Sequence, residues 1–287
     1  MEDSFVTNQN LEISGSITSS GECRAVRIRD RSKAYQIGWS LLSLFGVDIE
    51  PSHTVTAIKS LPGFLADWRK YNRLVEVSPR AAFKNLHPIL ADRTDSAGEF
   101  DIQYWFQDLW AARKVCALMP DHHVDIGSRI DGFVAHVLSY LPVTVVDIRP
   151  GPVSVIGLNF ICSDATSLRG IDNDSVSSLS SLHAAEHFGL GRYGDRIDPE
   201  GHLKFMSSLS RVLKPGGTLL FSVPTGAERV HFNAHRVLSP ETVLNAFSSL
   251  RLVSFSAVND NCEFVENCEP ATVSEAKYAC GLYEFTK

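Results

Sequence analysis

His123-Val124-Asp125-Ile126-Gly127-Ser128 reads as a short buried strand that runs straight into a turn, and this stretch decides the fold. Gly127 is the residue that lets the turn come close to a ligand, because a side chain without Cβ adopts positive φ at no steric cost. In an open doubly wound sheet, ligands lie beyond the carboxyl ends of the strands, where the strand order reverses, so the informative residues are those that follow strands. Asp147 ends the next apolar run, VTVVD, 22 residues beyond Asp125. That is close to the separation of about 20 at which an acidic residue takes ribose hydroxyls. Ile148 follows it. Asp164, in CSDATSL, ends a third run, where its carboxylate can accept from an adenine amino group while the amide of Ala165 meets a ring nitrogen. Taken singly, each acid also reads as a helix N-cap or a solvated turn. The ordered series carries the weight.

Outward from that stretch, YWFQDLWAARKVCALMP predicts a helix stopped by Pro120. HVDIG, VTVVDIR, NFICSD, SVSSLSSLH and GTLLFSVP are rich in Val, Ile, Leu and Ser and are separated by crossovers, which predicts a parallel sheet covered on both faces. RLVSFSAV and GLYEFTK, with no long helix between them, predict an antiparallel closing pair. The expected fold class is therefore α/β, a Rossmann-like doubly wound and mostly parallel sheet over residues 101–287. Residues 32–100 read as a helical extension or cap, from SKAYQIGWSLLSLFG and FLADWRKYNRLV, with Pro51 and Pro62 as breakers. Residues 1–31 are Ser/Thr/Asn-rich and read as a loosely ordered arm, in which VRIRD also suits an edge strand.

HVDIGS, VVDIR, CSDAT and VLKPGGTLLFSVP resemble the successive motifs of class I S-adenosylmethionine-dependent methyltransferases, over about Asp108 to Phe255. The resemblance implies S-adenosylmethionine as cofactor, with Asp125 and Gly127 near its methionine part, Ser128 in the same turn, Asp147 and Ile148 at the ribose, and Asp164 with Ala165 around the adenine. HVDIGSRIDGFVAH, SLHAAEHFGLGRYGD and FNAHRVLSP further resemble a family of unknown function first catalogued from Caenorhabditis proteins and also found in bacteria. That likeness extends upstream through IKSLPGFLADWRKYNRL; it carries no reaction.

Arg129 departs from the methyltransferase pattern, in which a further glycine follows the first. Its guanidinium either pairs with the cofactor's carboxylate or a substrate anion, or forms an outward salt bridge to Asp131 or another acid; a third reading is a degenerate cofactor pocket. Gly127 and Gly132 also fit the ends of a damaged G-x-G-x-x-G, but arginine at its middle position obstructs a dinucleotide pyrophosphate. His183-Ala184-Ala185-Glu186-His187 matches the zinc motif H-x-x-E-H, which requires a stable helix. SVSSLSSL before it reads as a strand, and Phe188-Gly189-Leu190-Gly191 breaks a helix within a turn. On the methyltransferase reading the same residues end the fourth strand beside the transferred methyl, where His183, Glu186, His187 and, after the fifth strand, His235 are candidates for the base or for substrate contact. Capping or packing is the alternative for each. Tyr193 and Asp195, on a Gly-rich loop, and Arg236 are candidates for binding the substrate, with a surface turn and a structural salt bridge as their alternatives.

Composition sets the outer limits. The chain has 287 residues, 44% hydrophobic and 21% charged, enough for one large core and an appendage. A net charge of -6 without a basic block excludes nucleic acid as the main substrate. The six cysteines form no C-x-x-C pair, the first thirty residues lack an apolar leader, and no apolar run reaches the length of a membrane span, so a cytoplasmic protein without a structural metal and away from membranes is expected. The leading expectation is O-methylation of a small molecule or glycan acceptor. A methyltransferase fold that has lost turnover and serves as a binding or scaffold protein is the alternative, motivated by Arg129; a metal-dependent enzyme using His183, Glu186 and His187 is a minor one.

Overall fold

The computed structural model describes residues 51–77, 79–90, 100–149, 151 and 154–287. The arm at 1–31, with VRIRD, and the first predicted helix, SKAYQIGWSLLSLFG, lie outside the described residues. Numbering starts at the first described element, α1 (Pro51–Leu74), which carries Pro62 inside it. Pro62 was expected to break the helix, and it does not. Among the described residues, no helix is long and apolar enough to cross a membrane.

Helix α2 (Ile102–Leu118) begins where the Asp101 carboxylate accepts from the amides of Gln103 and Tyr104, and it ends at Met119, whose φ of 42° precedes Pro120. Such a cap satisfies two of the amides a helix start leaves unpaired. The parallel strands follow: β1 (His123–Ile126), β2 (Val143–Asp147), β3 (Leu158–Cys162), β4 (Val176–Leu182) and β5 (Leu213–Thr225). Between them lie a π-turn (Ile130–Val134), the short α3 (Ala135–Leu138) and α4 (Gly201–Val212). The chain then makes a small hairpin, β6 (Arg229–His231) with β7 (His235–Val237), followed by α5 (Pro240–Ala246), β8 (Arg251–Val258), β9 (Phe264–Val265) and β10 (Ala279–Thr286).

The main sheet runs β3-β2-β1-β4-β5-β10-β8-β9. Strands β3 to β5 pair in parallel, while β10 lies antiparallel to both β5 and β8. The first five positions follow the Rossmann order and reverse at β1, which puts the ligand crevice beyond β1 and β4. The predicted doubly wound sheet and its antiparallel closing pair are both present; the β6–β7 hairpin and β9 were not anticipated.

Two cores flank the sheet, and β5 shows how period-two alternation feeds both. Leu219, Phe221 and Val223 join Phe205, Met206 and Phe247 on one face, whereas Leu220 joins Trp110, Val115 and Phe133 on the other. The serine-rich β4 has a chemical reason. Ser178 and Ser180 hydroxyls meet Nδ1 and Nε2 of the fully buried His123 at 2.7 and 2.8 Å, and Ser180 also donates to Asp125. Buried polar groups left unpaired would each cost about 1–3 kcal/mol.

Candidate active site

A cavity of about 510 Å³ opens against the carboxyl ends of β1 to β4. Its floor is the turn after β1, where Gly127 has a φ of +75° and a Cβ would stand 3.0 Å from the Ala184 Cβ. Ser128 lines the cavity, and its hydroxyl ties β1 to β4 by donating to Asp125 at 2.6 Å and accepting from the Leu182 amide at 2.9 Å. Asp125 itself does not line the cavity. Its carboxylate is fully buried beneath the turn, accepting from the Ser128 amide as well, and burial raises its pKa to about 6. It shapes the floor from below.

The cavity rim is charged and internally paired. Asp147, at the end of β2, accepts from the Arg149 guanidinium at 2.7 and 2.9 Å and from its amide at 2.8 Å. Partial burial works against the Asp147 anion, but these bonds outweigh it and hold the carboxylate below its usual range. Arg149 also lies 4.5 Å from the ring centroid of Tyr193. Arg129 makes the same two-residue pairing with Asp131, at 2.7 and 3.1 Å, and lies 5.0 Å from the Tyr104 ring centroid. Both arginines line the cavity, together with Ile148, Phe160, the exposed Asp164 and the buried Ala165. Asp164 Oδ1 accepts from the amide and hydroxyl of Thr166, leaving Oδ2 with no bond inside that turn.

A second chamber of about 180 Å³ adjoins the first, sharing Tyr104, His183, His187 and Tyr193 with it. His183 has a φ of +49°, an uncommon conformation for a residue with Cβ, and one that clusters at functional sites. Its Nε2 is buried without a hydrogen-bond partner, as is Oε2 of Glu186. Residues 185–187 form a single 3-10 turn rather than the α-helix that H-x-x-E-H needs. Among the described residues, no three His, Cys, Asp or Glu side chains are grouped to hold a metal ion. The His187 Nδ1 stands 2.7 Å from the Ala234 carbonyl oxygen; a carbonyl only accepts, so Nδ1 carries the proton and Nε2 is the base end, 3.6 Å from Glu186 Oε1. Burial pushes His183 down to about 3 and His187 to about 4, leaving both neutral, and pushes Glu186 up to about 8. His235 lines this chamber with its ring against Tyr278.

Asp195 lines the main cavity while its carboxylate gathers the amides of Gly189, Gly191 and Tyr193, which sets the loop and places Tyr193 over both spaces. Arg236, expected to meet substrate, lines neither chamber. It is buried and donates to the carbonyls of Phe188, Glu186 and Pro199, clamping the turn that carries Glu186. The sequence reading missed Tyr104, Arg149 and Phe160. Arg149 had a signal, an acid two residues earlier at a strand end; Tyr104 had none, since its helix precedes the sheet.

The residues present suit S-adenosylmethionine. The main test is the space at Gly127, which any Cβ would fill, beneath a cavity bordered by two strand-end carboxylates. A carboxylate has about four acceptor positions, and Arg149 takes three at Asp147, two on Oδ1 and one on Oδ2, so Oδ2 can still accept from a hydroxyl.

Residues 171–263 match the family described as Caenorhabditis protein of unknown function, DUF268. That span contains SLHAAEHFGLGRYGD and FNAHRVLSP; HVDIGSRIDGFVAH and the upstream stretch lie outside it. The chain resembles this family over that span. Among solved structures, 1,6-didemethyltoxoflavin-N1-methyltransferase of Burkholderia thailandensis, with bound 1,6-didemethyltoxoflavin and S-adenosylhomocysteine, is 14% identical, covering 83% of this chain and 92% of its own at a TM-score of 0.45. N-methyltransferase NodS of Bradyrhizobium japonicum WM9, in complex with S-adenosylhomocysteine, is 15% identical over 69% of this chain and 91% of its own, with a TM-score of 0.45. YcgJ of Bacillus subtilis is 14% identical over 63% and 98%, again at 0.45. No curated protein matches the chain by sequence.

Proposed function

We propose that this chain is an S-adenosylmethionine-dependent methyltransferase that methylates a hydroxyl of a small molecule. The observation that supports it most is the cavity across the ends of β1 to β4, with the Gly127 turn as its floor and Asp147 and Asp164 on its rim. Asp147 would take the ribose, Asp164 and the Ala165 amide the adenine, and Arg129 the cofactor's carboxylate. Bound, the cofactor supplies a methyl group on a sulfonium, open to in-line displacement.

The chain's remaining work is alignment and removal of one proton. Of the candidate bases, Glu186 is the best matched to neutral solution, because burial raises it to about 8 while the same burial makes His183 and His187 weak bases. A base works best with a pKa near the operating pH. His187 and Arg236 hold the Glu186 turn in place. Methyl transfer from labelled S-adenosylmethionine to small hydroxyl compounds, followed against pH, tests this: the rate is expected to climb as pH rises through about 8, and a rate that falls over that range contradicts Glu186 as the base.

One observation favours a second reading, a binding or scaffold protein without turnover. Arg149 and Arg129 face the cofactor cavity already paired with Asp147 and Asp131. If those pairs do not yield to a nucleoside, S-adenosylhomocysteine will not bind.

A further inference from the structure

The chamber beside the cofactor cavity has a composition of its own. Its walls carry Glu186, His183, Gln103 and Tyr278, with the charged Asp101 and Arg192 on opposite accounts. Two side chains more than nine-tenths buried there, His183 and Glu186, each hold a polar atom without a partner. Neither group sits idle cheaply, since a buried polar atom without a bond costs about 1–3 kcal/mol. A ligand that both donates and accepts hydrogen bonds removes that cost.

Charge narrows the class. Burial keeps Glu186 protonated near pH 7, and the chamber is lined by one acid, Asp101, and one base, Arg192, so a ligand of either net charge meets a like charge in a partly dry space. Size narrows it further. A volume of about 180 Å³ slightly exceeds the roughly 150 Å³ of a cavity that takes benzene, which leaves room for one six-membered ring with substituents.

We propose that this chamber is a binding site for an uncharged, hydroxyl-bearing compound of a single ring, whose hydroxyl is held by His183 and Glu186. The site rests on the methyl-transfer reading only in that its occupant would then be the methyl acceptor; binding itself needs no cofactor. Phenols and alicyclic diols share this chemistry.

The test is saturation-transfer NMR on the full chain at pH 7 with phenol, cis-1,2-cyclohexanediol, benzoate, benzylamine and 4-phenylphenol as probes, beside a separate calorimetric titration with S-adenosylhomocysteine. Binding of phenol or of the diol, with benzoate, benzylamine and the two-ring phenol at least about tenfold weaker, is expected; whichever of the two binds tighter assigns the ring as aromatic or alicyclic. Glu186→Gln, which keeps the shape and both hydrogen-bonding functions, should retain affinity within about threefold, and Glu186→Ala should lose about tenfold or more, the size of one stranded hydrogen bond. Benzoate or benzylamine binding as tightly as the hydroxyl probes, or no transfer to phenol or the diol, overturns the proposal. If S-adenosylhomocysteine binds and the hydroxyl probes do not, this site falls alone; if the probes bind and it does not, the cofactor reading falls alone.

Discussion

The two adjoining spaces differ in how they treat charge. On the rim of the larger cavity every described ion pair is local and half in water: Arg149 answers Asp147 and Arg129 answers Asp131, each two residues away. In the smaller chamber Glu186 and His183 are buried and His187 is half-buried; all three are neutral near pH 7, and two atoms, one on Glu186 and one on His183, are unpartnered. Exposed pairs contribute about 0–1 kcal/mol and can be exchanged for a ligand's groups. Buried groups shift their proton affinities instead, by amounts that matter for chemistry. On the methyl-transfer reading, the rim would hold the cofactor and the chamber would take up the acceptor's proton.

The strongest way to break this contrast is at Glu186. Glu186→Gln is expected to lower the methyl-transfer turnover about 10²–10⁴-fold while leaving acceptor KM within a few fold, the signature of a lost base rather than a lost contact. An equal loss in both would return Glu186 to a packing role. Next is Arg236, whose guanidinium holds three backbone carbonyls, that of Glu186 buried and those of Phe188 and Pro199 partly so: Arg236→Ala should cost roughly 2 kcal/mol of stability by urea unfolding, since truncation strands the buried acceptor. If stability is unchanged and only acceptor affinity falls, Arg236 belongs to the substrate after all.

Stability against pH probes the chamber and the sheet beneath it together. His123, His183, His187 and His202 have folded values of about 3 to 4, below the usual 6.5, so the unfolded chain binds more protons and stability is lost as pH falls from 6.5 toward 4. Asp125 and Glu186, raised to about 6 and about 8, act in the opposite sense, but four histidines outweigh them below 6.5. Above 6.5 Glu186 acts alone among these groups, and stability should decline by on the order of 2 kcal/mol by pH 8. A maximum near pH 6.5 in urea midpoints is expected; a flat profile from 6.5 to 8 removes the raised Glu186. The smallest effect belongs to the rim: Arg129→Ala should change stability by less than about 0.5 kcal/mol, and a larger loss in thermal unfolding would make that pair part of the scaffold.

The sequence disclosed the sheet because each strand is a short apolar run ending at a marked turn, and because Gly127, Asp147 and Asp164 recur at strand ends. It singled out the HAAEH segment by residue type, and that segment lines both cavities. It did not disclose burial, which raises Glu186 to about 8 and sets the Arg236 guanidinium on backbone carbonyls rather than in either chamber. Pro62 was misread because proline is only unfavourable within a helix, not forbidden. Tyr104 reaches the site from a helix that precedes the sheet in sequence, a contact set by tertiary packing that no local pattern records.

The most direct test of the account is calorimetric titration of the purified chain with S-adenosylhomocysteine beside Asp147→Ala. Micromolar binding by the natural chain and a loss of about tenfold or more in the variant are expected, since a charged hydrogen-bond acceptor is removed. Absence of binding to the natural chain, or equal binding by both, would contradict it.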